Sequence, residues 1–134
     1  MKRIFLLLIF NFIILKVAAQ PAFAWAKSIG NSSSDEYVTG MKIDNNGFIY
    51  ITGFFSGTLD FNPGTSTNNL TSNGLTDIFV AKYSSAGAYQ WAIKIGDTGH
   101  DEGSDLVIDD SSNIYICGYY NGNPDFDPGP NTDI

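Results

Sequence analysis

The sequence predicts an all-β chain built from repeated four-stranded modules, and three observations lead there. Short runs rich in β-branched and aromatic residues alternate with clusters of Gly, Asn, Asp and Ser. No window sustains the three-and-four apolar spacing of a globular helix. Long segments also recur: "FAWAKSIG" at 23–30 returns as "YQWAIKIG" at 89–96, 66 residues on. "IDNNGFIYITGFFSGTLDFNPG" at 43–64 returns as "IDDSSNIYICGYYNGNPDFDPG" at 108–129, 65 residues on, with half of its 22 positions identical. Such self-similarity marks one structural unit used more than once. The one-residue slip is placed between Glu36 and Met41, where a loop can absorb it.

The elements follow in chain order. Residues 1–19 read as a secretory signal peptide: "MKR", then the apolar "IFLLLIFNFIIL", then small residues at Val17, Ala18 and Ala19, with cleavage after Ala19. The twelve residues from Ile4 to Leu15 fall short of the roughly 20 that a spanning helix needs, so a membrane anchor is disfavoured. Residues 20–36 hold a lone leading strand, "FAWAKSIG", matching the last strand of the unit. Residues 37–96 form a complete blade. Its strands are "YVTGMKID" (37–44), "FIYITGFF" (48–55), "DIFVAKYS" (77–84) and "AYQWAIKIG" (88–96), with turns at "DNNG" and "SAG" and a polar stretch across 56–76. Residues 97–134 are a partial second blade that stops before its third strand.

An antiparallel sheet with one wet face alternates apolar and polar residues. Here Ile49, Ile51 and Gly53 oppose Phe48, Tyr50, Thr52 and Phe54, while Ile114, Ile116 and Gly118 oppose Tyr115, Cys117 and Tyr119. Both faces are largely apolar, so each sheet is expected to lie between two neighbours. Repeated four-stranded sheets covered on both faces make a β-propeller, here about one and three-quarter repeats of an incomplete ring. Closed rings use about four to eight blades, so the remaining blades of a longer chain are expected partners. The chain alone would present open strand edges and is expected to associate.

Beyond the leader, Lys27, Lys42, Lys82 and Lys94 are the only strong cations against fourteen acidic residues. Such a surface repels phosphate backbones and anionic bilayers, which excludes nucleic-acid binding and argues against membrane insertion after cleavage. Cys117 is the single cysteine, so no internal disulfide forms, and its place in "IYICGYY" reads as a small buried side chain.

The turn before "IYITG", the "DF-x-PG" loop, "DIFVAKY" and the Trp-Ala strand together resemble the SBBP-type β-propeller repeat of secreted and cell-surface bacterial proteins. The resemblance spans about residues 22–134. It implies a propeller used for binding or display, with no catalytic motif in the repeat itself. The second copy departs at Ser112 and Asn113, which replace Gly47 and Phe48.

Candidate chemistry is sparse. Asp60 and Asn62 in the first "DF-x-PG" loop, and Asp125 and Asp127 in the second, put oxygens at alternate positions ahead of Pro-Gly. Two readings stand: side chains that accept hydrogen bonds from turn amides, and a Ca²⁺ loop, for which 6–8 oxygens are required. The structural turn is favoured, and no other cofactor is expected. "GDTGHDEGSD" (96–105) gathers Asp97, His100, Asp101, Glu102 and Asp105, read chiefly as a solvated loop and secondarily as a metal or acid–base site. Trp25 and Trp91 read as packing between blades rather than as sugar platforms. No nucleophile elbow, phosphate loop or zinc-spaced Cys/His set can be assembled.

The expectation is therefore a non-catalytic binding or display scaffold, secreted or on the outer cell surface, whose partner is an extracellular protein or glycan. The alternative is part of a propeller-fold extracellular enzyme, for example one acting on glycans, with its catalytic residues outside these 134 positions.

Overall fold

A computed structural model describes residues 22–30, 32, 34–62, 64 and 66–126. The chain is all-β, with eight strands among these residues. They are β1 (Glu36–Ile43), β2 (Ile49–Phe55), β3 (Thr58–Asp60), β4 (Asn69–Thr71), β5 (Asp77–Tyr83), β6 (Tyr89–Ile95), β7 (Glu102–Ile108) and β8 (Ile114–Tyr119). An antiparallel sheet in the order β1-β2-β5-β6 forms unit one, and β7 pairs with β8 to begin unit two. Residues 1–19, expected as a signal peptide, lie outside the described residues.

The polar stretch at 56–76 contains a small antiparallel hairpin, β3–β4, that the sequence pattern did not signal. Three-residue strands carry too little periodicity to show. The hairpin has a packing role: Leu59 and Phe61 join Ile51, Phe55, Phe79, Ala81 and Tyr83 in one buried cluster. In a ladder, paired residues project to the same side. Ile51, Gly53 and Phe55 therefore share one face of unit one with Phe79, Ala81 and Tyr83, and the hairpin covers it. Each such side chain contributes about 1.5–3 kcal/mol by leaving water.

Tyr50, Thr52, Ile78 and Val80 form the opposite face, and all four are buried. Here β7 crosses close to β1 and β2. A Cβ added at Gly103 would lie 2.7 Å from Thr52 Oγ1 and 3.0 Å from the Gly53 carbonyl oxygen, so the two sheets meet backbone to backbone. The Thr39 hydroxyl donates to the Gly103 carbonyl across the junction. Both faces of unit one are thus covered at β2 and β5, one of them by its own hairpin, while Val38, Met41 and Ile43 of β1 stay exposed.

Bulges recur at matching places, between Val38 and Gly40 and between Gly103 and Asp105. Phe54 pairs with Tyr37 and Tyr119 pairs with Glu102, so Tyr37 and Glu102 are equivalent, 65 apart. The one-residue slip therefore lies before β1 and β7, not between Glu36 and Met41. Inside a ladder, a one-residue change would turn every side chain to the wrong face.

Two further expectations are corrected. Residues 22–30 form no strand in this structure. Both edges of β5 are taken, by β2 and β6, so no third-strand edge is open to the segment among the described residues. Cys117 is exposed rather than buried, because β7 covers the face at Thr52 and nothing among the described residues covers the same face of β8.

The strand turns show how the repeat tolerates change. Gly47 sits at φ 82° and its counterpart Ser112 at φ 65°, both left-handed. Asp44 Oδ1 accepts from the amides of Asn46 and Phe48 at 2.9 Å each, and Asp109 Oδ1 accepts from those of Ser111 and Asn113. The carboxylate pins the turn, so Ser112 is held where glycine would sit freely.

Candidate functional site

Two polar places organise the body: the "DF-x-PG" loop and the loop entering β7. Asp60 closes β3, and its Oδ1 accepts from the amides of Asn62 (2.9 Å) and Asn68 (2.8 Å). Phe61 turns inward, 5.5 Å from Phe55 in an edge-to-face pair, and its carbonyl accepts from the Tyr83 hydroxyl at 2.7 Å. Burial pushes the Tyr83 phenol well above its ordinary range, with the nearby Tyr89 and Asp60 adding to the effect, so it serves as a donor.

The second loop repeats the plan. Phe126 meets Tyr120 edge-to-face at 5.5 Å, and Pro124 is buried where unit one has Leu59. The recurrent aromatic thus meets Phe55 at the end of β2 in one unit and Tyr120, just past β8, in the other. Asp125 is partly buried in the place that matches Asp60. Asp127, the fourth residue of the proposed oxygen set, lies outside the described residues.

The loop entering β7, read from the sequence as solvated, keeps Thr98 and His100 exposed but buries Asp101 at the junction of the two units. Asp101 is fully buried, because its carboxylate gathers two amides: Asp97 N to Oδ2 and Asn121 N to Oδ1, both at 2.9 Å. The Asn123 and Gly99 amides bond the Asp97 carboxylate at 2.7 and 3.0 Å and hold its pKa below the ordinary value. Asp77, also fully buried, pairs with Lys94 at 3.2 Å and takes the Asn73 amide. Gly96 makes room for both acids: a Cβ there would fall within 2.8 Å of Asp77 and Asp101 oxygens.

The remaining candidates disperse. His100 is exposed, its Nδ1 3.2 Å from the Thr76 hydroxyl. Asp105 turns to Lys42 at 3.6 Å, and Glu102 begins β7 opposite Tyr119. Among the described residues no three of His, Cys, Asp and Glu converge as a metal-holding group. Trp91 lies edge-on to Tyr50, 6.2 Å away in its own sheet. Trp25 donates from Nε1 to the Ser85 carbonyl and lies against Gly87, capping the β5–β6 turn. Sequence reasoning named Asp101 without its burial and did not single out Asp77; both are fully buried, and Gly96, which leaves room for them, stands 19 residues from Asp77 in the chain.

Residues 90–124 match the family model for the SBBP beta-propeller repeat. An uncharacterized WD repeat-containing protein of Acanthamoeba polyphaga mimivirus is 34% identical over 121 residues, taking in 83% of this chain. The chain spans about 9% of that relative's length. No solved structure matches.

Proposed function

Starting from a chain whose residues 90–124 are an SBBP β-propeller repeat, we propose that it is a non-catalytic scaffold segment, exported to the cell exterior, that presents loops to an extracellular protein or glycan. The carrying observation is where the buried polar groups spend their bonds. Asp101, Asp77 and Thr52 each serve a backbone group or a neighbouring side chain of the frame, which is the work of positioning strands. The "DF-x-PG" loop does the same through Asp60. The basic, apolar, small-residue order of residues 1–19 supports export.

Expression of the full chain with a C-terminal tag in a Gram-negative bacterium tests the placement. The expected product begins at Gln20 and is reached by protease added to intact cells. A cytoplasmic product that retains Met1–Ala19 overturns the proposal.

A further inference from the structure

We propose that Lys94 and Asn73 react with each other to form an amide cross-link between their side chains, with Asp77 as the proton carrier. The three residues come from separate places in unit one. Lys94 stands on β6, Asp77 opens β5, and Asn73 lies in the loop joining β4 to β5. Lys94 Nζ, the nucleophile, lies 2.5 Å from Asn73 Oδ1 and 3.2 Å from Asp77 Oδ2. The carbon to be attacked, Asn73 Cγ, is one bond beyond that amide oxygen. Asn73 Nδ2 donates to the Gly96 carbonyl at 3.1 Å, which turns Oδ1 rather than Nδ2 towards the lysine. The Asn73 backbone amide donates to both Asp77 carboxylate oxygens, at 3.2 and 3.1 Å. Main chain and side chain of Asn73 are thus both fixed, with nucleophile, target and acid in contact before any bond changes. Groups held so react as one molecule rather than as two that must meet.

Burial separates this triad from an ordinary surface ion pair. The Asp77 side chain is fully buried and that of Lys94 is 25% exposed. Passing one proton from Nζ to Oδ2 leaves a neutral amine beside a neutral acid and takes two charges out of a dry place. The freed Nζ lone pair attacks Asn73 Cγ and forms a new C–N bond. The Cγ–Nδ2 bond breaks as Asp77 hands its proton to Nδ2, Nζ gives up a second proton, and the products are a secondary amide and ammonium. No oxidant, reductant or further reactant enters. The cross-link closes residues 73–94, with β5, β6 and the turn between them, into one covalent ring. A chain with a single cysteine gains by this route the restriction that a disulfide gives. All three residues lie within unit one, so the cross-link owes nothing to whatever adjoins it and is independent of the display role.

Peptide mapping of the full chain by mass spectrometry tests it. The parent is expected to yield a branched tryptic peptide that joins the fragment holding Asn73 to the fragment holding Lys94. Its mass should equal the two fragments together less one ammonia. Lys94→Arg, which keeps a cation beside Asp77 but no acylable amine, should lose the branched peptide, and Asn73→Ser should lose it too. Asp77→Asn, checked for folding by circular dichroism and sampled at matched times after synthesis, should join about 100-fold more slowly or worse. A parent that gives only separate fragments overturns the proposal whether or not Asp77→Asn folds. A folded Asp77→Asn chain that joins as fast as the parent overturns it as well.

Discussion

β2 and β8 carry almost one peptide, IYITGF at 49–54 and IYICGY at 114–119, yet they occupy different surroundings. β2 lies between β1 and β5, with the hairpin on one face and β7 on the other; among the described residues β8 has β7 alone as a ladder partner. The Thr52 hydroxyl donates to the Phe79 carbonyl at 2.8 Å in a buried bond, while the Cys117 thiol lies 3.7 Å from the Asp105 carbonyl on open surface. The same pattern therefore encodes the capacity to be covered on two sides, and the neighbour decides whether that capacity is used. Side-chain burial in a repeat belongs to the junction as much as to the unit.

The sharpest way to break the comparison is through the recurrent loop aromatic. Phe61→Ala should cost about 3–5 kcal/mol, because Phe61 is fully buried against Phe55 and Phe79. Phe126→Ala should cost less than about 1.5 kcal/mol, since Phe126 is half exposed in the same edge-to-face geometry. Urea unfolding followed by tryptophan fluorescence measures both. Equal losses would show that the two units share one environment in solution.

The left-handed turn position gives a smaller contrast. Gly47→Ala should destabilise by about 1 kcal/mol, since φ 82° suits glycine. Ser112→Gly should change stability by less than about 0.5 kcal/mol, because relief at φ 65° is offset by the greater freedom of glycine in the unfolded chain. A loss at Ser112→Gly comparable to that at Gly47→Ala would mean the serine side chain holds the turn.

Acidity separates the turns most finely. Desolvation works upward on Asp44, but the Phe48 and Asn46 amides, the Tyr50 hydroxyl and Lys82 outweigh it and hold its carboxyl below the ordinary 3.8. Asp109 is held below that value by the Asn113 side chain and amide, against desolvation, with Ser111 and Tyr115 helping. A carboxyl depressed in the folded state stabilises above its unfolded pKa, and that contribution is lost as pH falls through 3.8 towards the folded value. The urea midpoint should therefore hold steady above pH about 5 and decline below it, and Asp44→Asn with Asp109→Asn should flatten that acid limb. Salt should trim the Asp44 share more, because only that turn has a lysine contributing. An acid limb unchanged in the double variant would assign the decline elsewhere.

Much of the frame was legible from residues alone. "DIFVAKY" and "AYQWAIKIG" became β5 and β6 within a residue of their expected bounds, and both faces of β2 proved covered. The "DF-x-PG" recurrence marked a real unit, though its chemistry rests in Phe61 and Phe126 as much as in the acids. Less visible were the buried Asp77 and Asp101. A carboxylate goes inside only where amides and a cation converge on it, and those partners, Asn73, Lys94 and Asn121, stand 4 to 20 residues away. The "FAWAKSIG" segment kept its strand-like composition without a ladder, since among the described residues no third strand offers it the edge that β5 offers β6.

The sequence by itself determined the all-β class, the repeat interval, the strand order of a unit and the turns, because alternation and turn residues act over a few neighbouring positions. Only the tertiary structure decided that one face of unit one is closed by its own β3–β4 hairpin, that Asp77 and Asp101 lie buried, and that Cys117 stands open where Thr52 is hidden. Those outcomes depend on which surfaces meet across sheets, and meeting is a property of distance in space rather than of order along the chain.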